Sequence, residues 1–169
     1  MSAPAPEGEA PRPLIGAVIR TVLASLWFAL MFVVAIPAGL LRLVGEDLVP
    51  PPGASAIAGL ALIALVNAVL VVQIAAVVRR GGATHAPFDP PRRLVVGGLY
   101  RRSRNPMYLL YASTLLGEAI LYRSATLLIY AAAFWLLAHV YVTRVEEKQL
   151  RARFGADYEA YSRRIPRWL

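Results

Sequence analysis

The chain has 169 residues, enough for one domain, and 58% of them are hydrophobic, with a mean hydropathy of +0.55. Soluble domains run near roughly 45–50% apolar and about 25% charged. Here only 17% are charged, so the apolar excess must face something other than an ordinary core, and that makes the chain a membrane protein. The same composition excludes wholesale disorder, and the absence of cysteine excludes disulfides, thiolate metal ligands and a cysteine nucleophile.

The net charge of +8 could suggest nucleic acid, but its placement points to lipid headgroups instead. Of 18 basic residues, seven fall between Arg79 and Arg104 and seven between Arg144 and Arg167, each group beside apolar sequence. Basic residues flanking spans stay on the cytoplasmic side and attract anionic lipid. No nucleic-acid partner is expected.

In chain order, residues 1–13 hold four prolines and two glutamates and read as a disordered leader. They lack the early basic residues of a signal peptide. A first span covers 14–44, with an uncharged stretch at 21–41 and a kink expected near Pro37. Residues 46–53, with Pro50, Pro51 and Pro52, make a loop. A second span covers 54–78 without a charge and stops at Arg79 and Arg80. Residues 81–103 are polar and irregular. A short apolar segment, 106–121, then a turn at Tyr122, Arg123 and Ser124, then 125–142 predict an antiparallel helical hairpin. The last helix is expected to run on as a charged extension over 144–154, with Gly155 as its C-cap. Tyr158 and Tyr161 are expected to anchor a basic tail at the membrane interface. The fold class is thus an all-α integral-membrane bundle of about four transmembrane helices, divided into the leader, a two-helix hairpin over 14–80 and a core over 81–169. Four spans place both termini with the basic segments, in the cytoplasm.

Leu94-Val95-Val96-Gly97-Gly98-Leu99-Tyr100, Arg104-Asn105-Pro106-Met107-Tyr108, Glu146-Glu147, Phe154-Gly155, Tyr158, Tyr161 and Pro166 occur in an order that resembles the isoprenylcysteine carboxyl methyltransferase and phospholipid methyltransferase family. These are integral-membrane enzymes that use S-adenosylmethionine. The resemblance covers about residues 82–169. Leu99 stands where many members have proline, Arg92 where eukaryotic carboxyl methyltransferases often carry histidine, and Asn105 replaces their second histidine. Those differences weigh against an isoprenylcysteine substrate, and the Asn105–Tyr108 run is closer to bacterial and phospholipid-type members, which implies a bacterial inner membrane.

The resemblance implies cofactor contacts from Leu94, Val95, Gly98, Tyr100, Asn105, Pro106, Met107, Tyr108 and Glu146, and catalytic roles for Arg104 and Glu147. The residues themselves suit that cofactor. Gly98 permits close backbone approach, Tyr100 and Tyr108 offer faces for adenine or a sulfonium, and the helix opening at Pro106 presents N–H groups to a carboxylate. Glu146 and Glu147 diverge by about 100° on a helix, so one is expected to meet the ligand. Glu147 is expected to pair with Arg151 or to take the proton of an amine acceptor. The methyl acceptor would be lipid-soluble or lipid-linked, with a carboxylate or amine. A nicotinamide-dependent membrane reductase and a non-catalytic scaffold are the alternatives. Glu118 is expected near the interface, His139 as a helix-packing histidine, and Asn67 and Gln73 as polar contacts between helices. No metal site is expected from two histidines without carboxylate spacing.

Overall fold

The computed structural model describes residues 14–81 and 94–169; the expected leader, and Arg92 and Arg93 of the basic loop, lie outside them. Among the described residues all regular structure is helical. The first passage is α1 (Leu14–Phe28), a π-helical turn (Ala29–Ala35) and α2 (Ile36–Val44). The second is α3 (Ala54–Gly81). A 3₁₀ turn (Gly98–Arg101) leads into α4 (Pro106–Tyr122), and α5 (Ala125–Tyr141) returns antiparallel to it. A second π turn (Val142–Glu146) joins α5 to α6 (Glu147–Arg164).

Among the described residues, three helical stretches are long and apolar enough to cross a membrane: Val22–Val44, Ala54–Ala76 and Ala125–Arg164. The last is 40 residues, about 60 Å at 1.5 Å per residue and twice a hydrocarbon core, so only its apolar first half crosses. The 17 residues of α4 rise about 25 Å and make a shorter fourth passage. Leu23, Leu26, Trp27, Val71, Val72, Ile129, Leu136 and Leu137 are all exposed on the bundle surface, where lipid takes the place of water. The chain is an integral membrane protein.

Pro37 acts differently from a simple kink. A proline has no N–H and its ring crowds the carbonyl four residues back. The π turn absorbs both effects one turn earlier. Ile36 N–H donates to the Met31 carbonyl, five residues back, so the matching acceptor for residue 37 would be Phe32. Pro37 cannot supply that bond, and the Tyr130 hydroxyl of α5 donates to the Phe32 carbonyl at 2.8 Å instead.

The core joins three passages. Leu70 of α3, Met107, Tyr111 and Leu115 of α4, and Ala131 and Phe134 of α5 are buried together, with Phe28 and Phe32 packed on them. Phe28 lies 4.5 Å from the Tyr111 ring centroid. A second cluster, Leu41, Ala119 and Leu127, closes the end bearing the short turns. There Arg123 takes a left-handed cap, Ser124 accepts from Leu127 N–H, and Arg123 Nε donates to Ser55 Oγ at 2.6 Å. Glu118, one turn before this end of α4, is half-buried, and its Oε2 has no hydrogen-bond partner among the described residues.

The C-terminal expectation needs correcting. Gly155 does not end the helix. It takes a non-helical conformation (φ 49°, ψ −123°) that bends α6, which then resumes to Arg164. The bend turns Tyr158 and Tyr161 inward, where both are buried, so neither anchors the tail in the interface.

The closest helix crossing is between α3 and α4. A Cβ on Gly59 would lie 2.6 Å from Leu121 N and 2.7 Å from the Gly117 carbonyl, and one on Gly117 would lie 2.7 Å from Ile63 Cγ1. Small residues that admit backbone contact are how membrane helices associate closely. Gly59→Val is therefore expected to destabilise the folded protein by about 1–3 kcal/mol or more. Gly39→Ala, where nothing lies within 4 Å, should not. Thermal unfolding midpoints in detergent compare the two.

Candidate active site at the α4 N-terminus

The chain reaches α4 through a tight turn whose geometry follows from Gly98. Its φ of 64° is in the left-handed region, open to glycine and strained for other residues. Arg102 and Ser103 N–H both donate to the Leu99 carbonyl, and Leu99 N–H donates to Gln73 Oε1 of α3 at 3.4 Å. Asn105, restricted by the following proline, sits at φ −131°, ψ 52°, and Pro106 begins the helix, where its missing N–H costs nothing. Asn105 makes no side-chain cap.

Its side chain is used elsewhere. Asn105 Nδ2 donates to the Arg167 carbonyl at 3.0 Å, Ser103 Oγ donates to the same carbonyl at 3.2 Å, and Arg104 N–H donates to the Pro166 carbonyl at 3.0 Å. The strand-like segment after α6 thus lies along residues 103–105. Its side chains lock it there. Arg167 grips Glu147 with both forks, Nε to Oε1 at 2.7 Å and Nη2 to Oε2 at 3.0 Å. Trp168 Nε1 donates to His139 Nδ1 at 3.0 Å, which requires that nitrogen to be unprotonated, and its ring lies 4.3 Å from that of Trp135.

Glu147 is the centre of this arrangement. It is buried, and Arg104 Nη2 approaches Oε1 to 3.2 Å on the other side, while Arg151, the partner expected from sequence, stands at 4.0 Å. Arg104 Nη1 donates to the Tyr158 hydroxyl at 3.3 Å. Burial alone would raise the Glu147 carboxyl, but the Arg167 hydrogen bond and the charges of Arg104, Arg167 and Arg151 outweigh it and hold it below the usual range.

Glu146 has the opposite environment. One residue earlier, at the end of the π turn, it accepts a 3.0 Å hydrogen bond from the Tyr108 hydroxyl of α4. Burial raises its carboxyl above the usual range; the Tyr108 bond opposes this and neighbouring Glu147 adds to it. Tyr100 lies within electrostatic reach of Glu146, and its hydroxyl is pushed up by burial first and by Glu146 second. Tyr161 hydroxyl donates to the Tyr100 carbonyl at 2.8 Å and also lines an open cleft of about 670 Å³ with Leu94, Val96, Phe154, Asp157 and Arg164. Tyr161 is therefore the shared wall between the cleft and the acidic, aromatic cluster.

Of the residues marked in the sequence, Tyr100, Tyr108 and Glu146 come together, and Leu94 faces the adjoining cleft. Val95 is half-buried beside it. Pro106 and Met107 are buried, with Met107 in the α3–α5 core, and Asn105 holds the tail. Arg104 and Glu147 are paired with each other. Sequence reading missed Arg167, Trp168 and the inward positions of Tyr158 and Tyr161. The Phe-Gly-x-x-Tyr run pointed at Tyr158, but nothing in the local pattern ties Arg167 to a carboxylate 20 residues earlier. Among the described residues no group of three metal-ligating side chains is found.

The described residues thus form a helical membrane bundle with tyrosines and two adjacent carboxylates gathered at one end of its helical hairpin. The family model of phospholipid methyltransferases matches residues 54–157, more than half of the chain, so the chain belongs to that family and is a membrane methyltransferase. The match starts at α3 and stops before the tail that pairs with Glu147. No curated protein matches, and no solved structure matches.

Glu147 gives a pH signature. A carboxylate held low in the folded state adds stability that is present above its unfolded value, about 4.3, and is lost as pH falls through the folded value. Unfolding midpoints measured from about pH 6 downward should fall less steeply for Glu147→Gln than for the wild type. At neutral pH, Arg167→Ala should cost about 1–3 kcal/mol, since it removes two charge-assisted bonds while Arg104 remains.

Proposed function

We propose that the protein transfers the methyl group of S-adenosylmethionine to a lipid-soluble or lipid-linked acceptor entering from the bilayer. The observation that carries this is the Tyr108–Glu146 hydrogen bond with Tyr100 beside it: a half-buried acid among aromatic rings, suited to a ligand with a positive charge. The residues present fit the cofactor. Tyr100 and Tyr108 would face the sulfonium, Glu146 would accept from the ammonium, and Leu94, Val96 and Phe154 would cover the adenine. Asp157 would take ribose hydroxyls, and Gly98 would let the backbone approach. When bound, the cofactor supplies a methyl group on an activated sulfonium leaving group. The protein's contribution is then alignment and exclusion of water.

The Arg104–Glu147–Arg167 cluster acts in this scheme as a support. Both Glu147 oxygens are engaged by arginines and its carboxyl is held low, which makes it a poor proton acceptor. Glu146, raised by burial, is the better base for an amine acceptor; a carboxylate acceptor needs none. Family membership favours a lipid as the acceptor.

Calorimetric titration of detergent-purified protein with S-adenosylmethionine, S-adenosylhomocysteine and NADPH tests the reading. The first two should bind; preference for NADPH would replace a methyltransferase cofactor by a nicotinamide one. Glu146→Gln should weaken S-adenosylhomocysteine roughly ten- to hundredfold, the loss of one charge-assisted hydrogen bond of about 1.5–3 kcal/mol.

We further propose that the site faces the cytoplasm, because Arg101, Arg102, Arg144, Lys148, Arg151, Arg163 and Arg164 cluster around it. Arg102, beside the site, and Asp47, in the proline-rich loop, are both exposed. In intact cells a membrane-impermeant thiol reagent should label Asp47→Cys and spare Arg102→Cys. The reverse pattern would invert the orientation.

A further inference from the structure

Gln73 is 4% exposed, near the end of α3 that meets the Gly98–Arg101 turn. Its Oε1 accepts from Leu99 N–H, and its Nε2, fully buried, has no hydrogen-bond partner among the described residues. The backbone N–H of Leu99 can only donate, so it fixes which end of the amide it meets: the oxygen is committed and the NH₂ group is left over. Asn67, two turns earlier on the same helix, shows a satisfied case, with Nδ2 donating to the Ile63 carbonyl at 2.8 Å and to Thr114 Oγ1 at 3.4 Å. Buried polar groups are nearly always paired, so an orphan donor beside a binding region is a candidate contact for a ligand acceptor.

The surroundings say which acceptor. Leu70 and Ile74, which flank Gln73 on α3, lie in and against the core cluster that includes Met107 in the first turn of α4, and the Leu99 bond ties Gln73 to the turn that leads into that helix. The start of α4 carries no side-chain cap at Asn105, and a helix N-terminus favours negative charge. One residue beyond Leu99, Tyr100 is in electrostatic reach of the acidic Glu146. A donor and a positive helix end on one side, with a carboxylate on the other, match an amino-acid zwitterion.

We propose that Gln73 is a ligand-binding residue of the methyl-transfer site, its Nε2 donating to the carboxylate at the amino-acid end of the cofactor. The inference rests on the S-adenosylmethionine reading above and extends the site to a helix that the motifs do not include.

Two ligands separate this role from support of the turn. S-adenosylhomocysteine carries the amino-acid end; 5′-methylthioadenosine has the same nucleoside and thioether without it. Gln73→Glu keeps an acceptor for Leu99 N–H and removes the NH₂ donor, and Gln73→Met removes both. In calorimetric titrations, Gln73→Glu, which keeps the acceptor for the turn, should bind S-adenosylhomocysteine about tenfold or more weakly than the wild type while 5′-methylthioadenosine affinity stays unchanged; Gln73→Met, which also removes the support of the turn, should lose more S-adenosylhomocysteine affinity than 5′-methylthioadenosine affinity. Unfolding midpoints without ligand establish that each variant is folded. Unchanged S-adenosylhomocysteine affinity, or equal losses for both ligands, would overturn the assignment and leave Gln73 as a turn support. A wild type that binds neither ligand would instead overturn the cofactor reading itself.

Discussion

The end of the bundle that carries the proposed site depends on one buried charge. Glu147 sits between Arg104, from the segment before α4, and Arg167, from the segment after α6. A carboxylate taken out of water this fully is tolerated only when both oxygens are met, and removing one partner leaves the other charges uncompensated. The cluster therefore specifies geometry more than it adds stability. It fixes the rotation of the helix at residues 146–147, and that rotation aims Glu146 at Tyr108. Adjacent carboxylates thus take different roles: one is neutralised to hold the frame, while the other is left next to a tyrosine.

The two π turns place these parts. The one at Val142–Glu146 lies where α5 leaves its apolar stretch, and the extra residue per turn separates the direction of Glu146 from the packing face of α5. The one at Ala29–Ala35 lets the first passage carry Pro37 without a break and brings Phe28 and Phe32 against Tyr111 and Phe134. Pi turns add residues to a helix without ending it, which suits a bilayer that tolerates no free backbone ends.

Most of the architecture was legible because the bilayer imposes a length and an apolarity that composition records directly. The spans, the proline-rich loop and the Tyr122–Ser124 turn fall close to where hydropathy places them. Gly155 misled because a glycine after a helical run also fits a bend, and only the packing of Tyr158 and Tyr161 beyond it decides between stop and kink. Glu147 was legible in part: the expected ion pair with Arg151 is present at 4.0 Å. Local spacing offers Arg151 at i+4, whereas the stronger partners are distant in sequence. Gly59 and Gly117 gave no signal by themselves, since one glycine in an apolar helix has no visible face until its neighbour is known.

The Tyr130–Phe32 hydrogen bond has a consequence for how the chain enters the membrane. When only the first two passages have been inserted, α5 is absent and the Phe32 carbonyl has neither Pro37 nor Tyr130 as a donor. An unpaired carbonyl in hydrocarbon costs roughly several kcal/mol, so the early hairpin would carry a defect at mid-depth. Arrival of α5 removes it. The bond therefore ties the seating of the first passage to the α4–α5 hairpin, because the carbonyl that Pro37 leaves without its backbone donor is met by a side chain of α5.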